Sequence, residues 1–131
     1  MDGFPLWPSA HANPRRPGWG ARQDLVGAVA RATRERGLRL GLYYCGGFDV
    51  TFEDRVIRTL GDCALAVPQS EDYARYCEAQ LRELIARYRP DVLWNDVGFP
   101  VRVDLPELFD SYYRAVPDGK HNQTFIWRNR L

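Results

Sequence analysis

The feature that most constrains this chain is a junction. A long amphipathic stretch, Ser70 to Arg89, is stopped by Pro90 and passes at once into the apolar run Val92-Leu93-Trp94. Ser70 stands where an N-cap is expected, and Glu71 and Asp72 favour the first turn through the helix dipole. Tyr73, Cys77, Leu81, Leu84, Ile85 and Tyr88 then recur at helical spacing on one face. A helix delivered directly into a short apolar strand is the repeating element of an α/β fold.

The same succession occurs on either side. Gln23 to Arg36 carries Leu25, Val26, Val29, Ala32 and Thr33 as one stripe, with Gly37 as a C-cap. Leu38, Leu40, Leu42 and Tyr44 then alternate with Arg39, Gly41, Tyr43 and Cys45 up to the Gly46-Gly47 pair, which predicts a strand from 38 to 45 and a turn. Downstream, Asp104 and Glu107 form a capping pair before Leu105, Leu108, Phe109, Tyr112 and Tyr113. That helix ends near Pro117, and a last strand is predicted from about His121 to Trp127. Pro8 to Gly20 and Asp49 to Gln69 read as loops, the second with a short helical turn. The order is about three βα units with parallel strands and right-handed crossovers.

Composition limits what such a fold does. The 131 residues, 45% of them apolar, suit at most one domain. Eighteen basic against seventeen acidic residues, net +1, are too balanced for a nucleic-acid binder that works by counterion release. Cys45, Cys63 and Cys77 lack C-x-x-C spacing and read as ordinary thiols. His11 and His121 share no ligand spacing and read as surface or turn residues, and no phosphate-loop motif supports a nucleotide-binding domain. No stretch approaches the roughly 18 continuous apolar residues of a membrane span, and no basic-then-apolar leader opens the sequence; compartment and oligomeric state are left open.

In parallel α/β folds, ligands bind at the carboxyl ends of the strands. Alternation puts Val92, Trp94 and Asp96 on one face of their strand and Leu93 and Asn95 on the other. Tyr43 shares a face with Arg39 and Gly41 and is expected beside Trp94. A carboxylate between aromatic rings suits sugar cleavage, the carboxylate meeting the anomeric carbon and the rings its C–H faces. The plainer reading is that Asp96 opens a loop by bonding backbone while Trp94 and Tyr43 are packing. Phe4 and Trp7 stand between sugar pocket and core, and Asp49 reads as a solvent-facing turn residue.

Four ordered motifs extend the reading: Asp2-Gly3-Phe4 with Leu6-Trp7-Pro8-Ser9, Asp24-Leu25-Val26-Gly27, Gly41-Leu42-Tyr43-Tyr44-Cys45-Gly46-Gly47, and Pro90-Asp91-Val92-Leu93-Trp94-Asn95-Asp96. Over nearly the whole chain they resemble the α-L-fucosidase family of retaining glycoside hydrolases. The resemblance implies a partial (β/α)₈ TIM barrel, residues 1–131 forming an incomplete catalytic barrel domain, because a whole barrel needs roughly 200 to 250 residues. It implies removal of terminal α-L-fucose from a fucosylated glycan or small fucoside, without metal or organic cofactor. Asp96 takes the place of the nucleophile, and Trp94 and Tyr43 take places in the fucose pocket.

Two departures bear on activity. The family motif reads His-His-Asp-Gly-Phe, whereas this chain begins Met1-Asp2-Gly3-Phe4. The family's acid/base carboxylate lies beyond the Trp-x-Asp strand and is not identified here, since capping explains Glu107 and a turn explains Asp118. The chain alone is therefore expected to be inactive. The competing expectation is a non-catalytic barrel remnant that at most binds sugar or a partner through exposed edges.

Overall fold

The computed structural model describes residues 3–125. Helix α1 (Leu25–Glu35) leads to strand β1 (Gly41–Tyr44), short helix α2 (Leu60–Leu65) and long helix α3 (Glu71–Tyr88) lead to β2 (Val92–Val97), and α4 (Leu105–Ala115) leads to β3 (Lys120–Phe125). The strands form one parallel sheet in the order β1-β2-β3. The predicted α/β architecture of three parallel strands, each following a helix, is what the chain adopts. Trp127, at the end of the predicted last strand, lies outside the described residues.

Helix α3 forms where the sequence places it. The Ser70 hydroxyl accepts from the Tyr73 amide, and Arg89 ends the helix in a left-handed conformation, φ 44°, just before Pro90. The last carbonyls do not go unpaired: the Arg34 guanidinium of α1 donates to Tyr88 O at 2.5 Å and Arg89 O at 3.0 Å. All six apolar residues of the predicted face are buried, from Cys77 and Leu81 at 0% exposure to Tyr88 at 6%. Each fully buried large side chain contributes about 1.5–3 kcal/mol. The α3 face packs on Leu40 and Leu93, with Leu108 and Tyr112 of α4 completing the core. The Tyr112 hydroxyl, facing the carbonyls of Pro90, Asp91 and Lys120, joins α4 to the starts of β2 and β3.

Two elements differ from expectation. Strand β1 has four residues, not eight, because Gly37, at φ 68°, closes α1 in a turn that also bonds Leu38 N–H to Thr33 O. Leu38 is left exposed, and pairing begins only where the Asp91 carboxylate receives Leu40 N–H at 2.7 Å. In α1 the core-facing residues are Val26, Gly27 and Ala30; Leu25 and Val29 of the predicted stripe are exposed. The turn foreseen within the Asp49 to Gln69 loop is α2, held by a capping box between Thr59 and Asp62. Among the described residues no helix is long and apolar enough to cross a membrane.

The loop ahead of α1 is fastened to α3 by one side chain. The Glu83 carboxylate accepts from Trp7 Nε1 (2.9 Å), Ser9 Oγ (2.6 Å) and the Ala10 amide (3.0 Å), and pairs with Arg87. Burial alone would raise the Glu83 carboxyl, but these bonds together outweigh it and hold the group below the usual glutamate range. With its folded value under its unfolded one, Glu83 stabilises the fold above the ordinary glutamate pKa of about 4.3, and that contribution is lost as pH falls through the folded value. Glu83→Ala should cost about 1–3 kcal/mol at pH 7 in urea unfolding, and Glu83→Gln should lose less stability than the native chain between neutral and acid pH.

Candidate functional site

Parallel pairing of β1 with β2 sets Tyr43 against Trp94 and Tyr44 against Asn95. The alternation read from the sequence holds: Leu93 and Asn95 are buried toward the helices, at 1% and 2% exposure, while Trp94 at 43% and Tyr43 at 49% stand on the opposite, open face. Gly41, small and two residues before Tyr43, lies against Val92 on that face. The two rings meet edge to face with centroids 5.7 Å apart. Beyond them, at the carboxyl end of the strands, the Tyr43 hydroxyl donates to Asp96 Oδ2 at 3.0 Å. Tyr43, Trp94 and Asp96 are thus one contiguous group.

The Tyr43 phenol is driven well above its ordinary range, first by desolvation, then by the Cys45 thiol, with the bond to Asp96 adding to both. It remains a protonated donor at neutral pH. The second Asp96 oxygen, Oδ1, accepts from the Val97 amide at 2.9 Å. Asp96 therefore does bond backbone, as the plainer reading had it, while presenting its other oxygen to Tyr43.

Behind this open face, Asn95 ties the strand ends together. Its side-chain oxygen receives the Gly46 amide at 3.2 Å, and its amide reaches Gly98 O at 3.4 Å. A Cβ on Gly46 would come within 2.9 Å of the Phe99 ring and 3.0 Å of that Asn95 oxygen, so the Gly46-Gly47 pair is needed for close approach of the two loops. Sequence reading placed Asn95 on the face opposite Asp96 but assigned it no task.

The remaining candidates separate from this group. Trp7 is core, 5% exposed and bonded to Glu83, whereas Phe4 is partly exposed and packs edge-on against Trp19. Both line a cavity of about 240 Å³ between the N-terminal segment, β1 and α3; Tyr43 reaches it, but its lining does not include Trp94 or Asp96. Asp49 is not a solvent-facing residue: at 3% exposure it lies under Gly3, whose Cβ would fall 2.2 Å from it, and it accepts from Thr51 N and Oγ1. The mixed polarity of its loop hid that burial. His121 is half-buried within β3 and is not a turn residue. It starts the helix side of β3, stacks on Phe109 at 4.3 Å and meets the Tyr113 hydroxyl, and burial lowers its imidazole below the usual range. His11 is exposed. Asp104 caps α4 by accepting the Glu107 amide, and the Glu107 carboxylate pairs with Arg82 rather than closing a capping box. Among the described residues no cluster of His, Cys, Asp or Glu is arranged to hold a metal ion, and none of the three cysteines forms a disulfide.

Parallel strands with a carboxylate and two aromatic rings at their carboxyl ends are the arrangement of barrel-type glycoside hydrolases, and comparison with known proteins supplies the family. The sequence profile of Alpha-L-fucosidase matches residues 1–128. The chain belongs to the α-L-fucosidase family. It is 33% identical over 119 residues to putative alpha-L-fucosidase 1 of Oryza sativa and 32% identical over 115 residues to tissue alpha-L-fucosidase of Rattus norvegicus. These matches cover 88% and 87% of this chain but 20% and 22% of the relatives. Alpha-fucosidase of Thermotoga maritima, solved in complex with fucose, superimposes with a TM-score of 0.85 at 38% identity, covering 98% of this chain and 31% of that one. The Thermotoga maritima alpha-L-fucosynthase, in complex with alpha-L-Fuc-(1-2)-beta-L-Fuc-N3, matches equally well. The chain therefore spans about a fifth of the curated relatives' length and under a third of the solved chains'.

Asn95→Ala should destabilise by about 1–3 kcal/mol in urea unfolding, because it strips the buried Gly46 amide of its partner.

Proposed function

We propose that this chain supplies the nucleophile half of a retaining α-L-fucosidase site, with Asp96 as the attacking carboxylate and Tyr43 and Trp94 as walls of the fucose pocket. The observation that carries this reading is the 3.0 Å bond from Tyr43 to Asp96 beside the Trp94 ring, at the carboxyl ends of paired parallel strands. The fucose bound in the Thermotoga maritima relative supports the same substrate class here.

In this mechanism Asp96 attacks the anomeric carbon while a second carboxylic acid protonates the departing glycosidic oxygen. The covalent fucosyl–Asp96 ester is then hydrolysed by water, the second carboxylate now acting as base. The retaining geometry sets the two carboxyl groups about 5–5.5 Å apart. Tyr43 orients Asp96 and, as a phenol that keeps its proton, lends it no negative charge to oppose attack. The ring of Trp94 offers an apolar surface to the C–H face and methyl of fucose. The second carboxyl belongs to barrel segments beyond these three strands, so the isolated chain is proposed to be inactive, and turnover belongs to a complete barrel.

The test is hydrolysis of 4-nitrophenyl α-L-fucoside by this chain expressed within a complete barrel. Asp96→Asn should lower kcat at least about a hundredfold. Trp94→Ala should act chiefly on KM, raising it about tenfold. Undiminished turnover in Asp96→Asn would remove Asp96 from the role.

A further inference from the structure

The residue after Asp96 is in a conformation its side chain disfavours. Val97 has φ 68°, in the left-handed region that β-branched residues almost never occupy. The flanking Gly98, at φ 135°, is a glycine and adopts positive φ without penalty; Val97 does not share that freedom. Its amide is the donor to Asp96 Oδ1 at 2.9 Å. Across the strand ends, the Val97 side chain fills the space that a side chain on Gly47 would need: a Cβ there would lie 2.5 Å from Val97 Cβ and 2.9 Å from Cγ1. Gly47 is buried, so the clash has no outlet to solvent.

We propose that Val97 and Gly47 are a positioning pair for the Asp96 carboxylate: the bare backbone of Gly47 leaves room for the left-handed Val97, and the packing of Val97 there holds in place the peptide whose N–H bonds Oδ1. Asp96 is then tied at both oxygens, by a backbone amide on one side and the Tyr43 hydroxyl on the other. Two ties fix the rotation of the carboxylate plane, which a nucleophile attacking a single carbon requires. Strained backbone gathers where surrounding structure over-determines it, and here the neighbours that do so are the Asn95 clamp and the Gly46-Gly47 turn. Val97 and Gly47 touch no reacting atom; they act through Asp96. The inference rests on the proposed role of Asp96, although the geometry it describes is independent of that role.

Amide hydrogen exchange on the full chain reads the geometry directly. Protection at residue 97 should fall about tenfold in Gly47→Ala and in Asp96→Ala, with Leu93 protection unchanged as the control for folding. Val97→Gly keeps the amide and removes the clash, so Val97→Gly alone and Gly47→Ala/Val97→Gly should both retain protection within about threefold of the native chain. In a complete barrel, Gly47→Ala should lower kcat about tenfold or more with little change in KM, and the double variant should recover it. Unaltered protection at residue 97 in Gly47→Ala, or a double variant that recovers nothing, would overturn the positioning pair. Exchange behaving as expected while Asp96→Asn keeps full turnover would leave the pair standing and overturn the nucleophile reading instead.

Discussion

The pairing of β1 with β2 is the constraint from which the site follows. Because side chains alternate at a period of two, a slip of one residue would turn Tyr43 toward the helices and bring Tyr44 to the open face. The register that places Tyr43 against Trp94 is set before the strands begin, where Asp91 receives the Leu40 amide and Leu40 O receives the Val92 amide. The buried face enforces it, since Leu93 and Asn95 are both buried on the side opposite Tyr43 and Trp94. Asp96, four residues beyond Val92, is delivered to the strand end by that same register.

The helices serve the sheet by covering one face and leaving the other bare. On the covered side, α3 presents eight buried apolar residues, α4 adds Leu108 and Tyr112, and Glu83 holds the N-terminal loop in place. On the bare side, Tyr43 and Trp94 remain nearly half exposed, as expected of strands whose inner face a barrel would enclose. Exposed Leu25 and Val29 on α1 fit the same picture, in which a helix finds neighbours on only part of its apolar surface. The chain covers 31% of the solved Thermotoga maritima relative.

Much of this was legible in the sequence because it rests on local pattern. The face of α3 follows from the spacing of Tyr73 to Tyr88, and the neighbouring of Tyr43 and Trp94 follows from alternation together with parallel order. What escaped notice depends on contacts between distant segments. Asp49 looks like a loop residue until Gly3 closes over it, and Asn95 looks like a polar residue on the helix side of its strand until Gly46 supplies its partner. The short β1 was hidden because the Gly37 turn uses the Leu38 amide, which no alternation pattern reveals. The left-handed Val97 has no sequence signal of its own; the nearest hint is glycine on both sides of the gap, at Gly47 and Gly98.

Incubating a complete barrel that contains this chain with a 2-deoxy-2-fluoro-fucosyl fluoride traps the glycosyl-enzyme ester, because the 2-fluorine slows both formation and hydrolysis of the ester while the good fluoride leaving group restores the rate of formation alone. Peptide mass spectrometry then locates the label. A fucosyl adduct on Asp96 is the result expected; an adduct on another carboxylate, with Asp96 unmodified, would contradict the assignment.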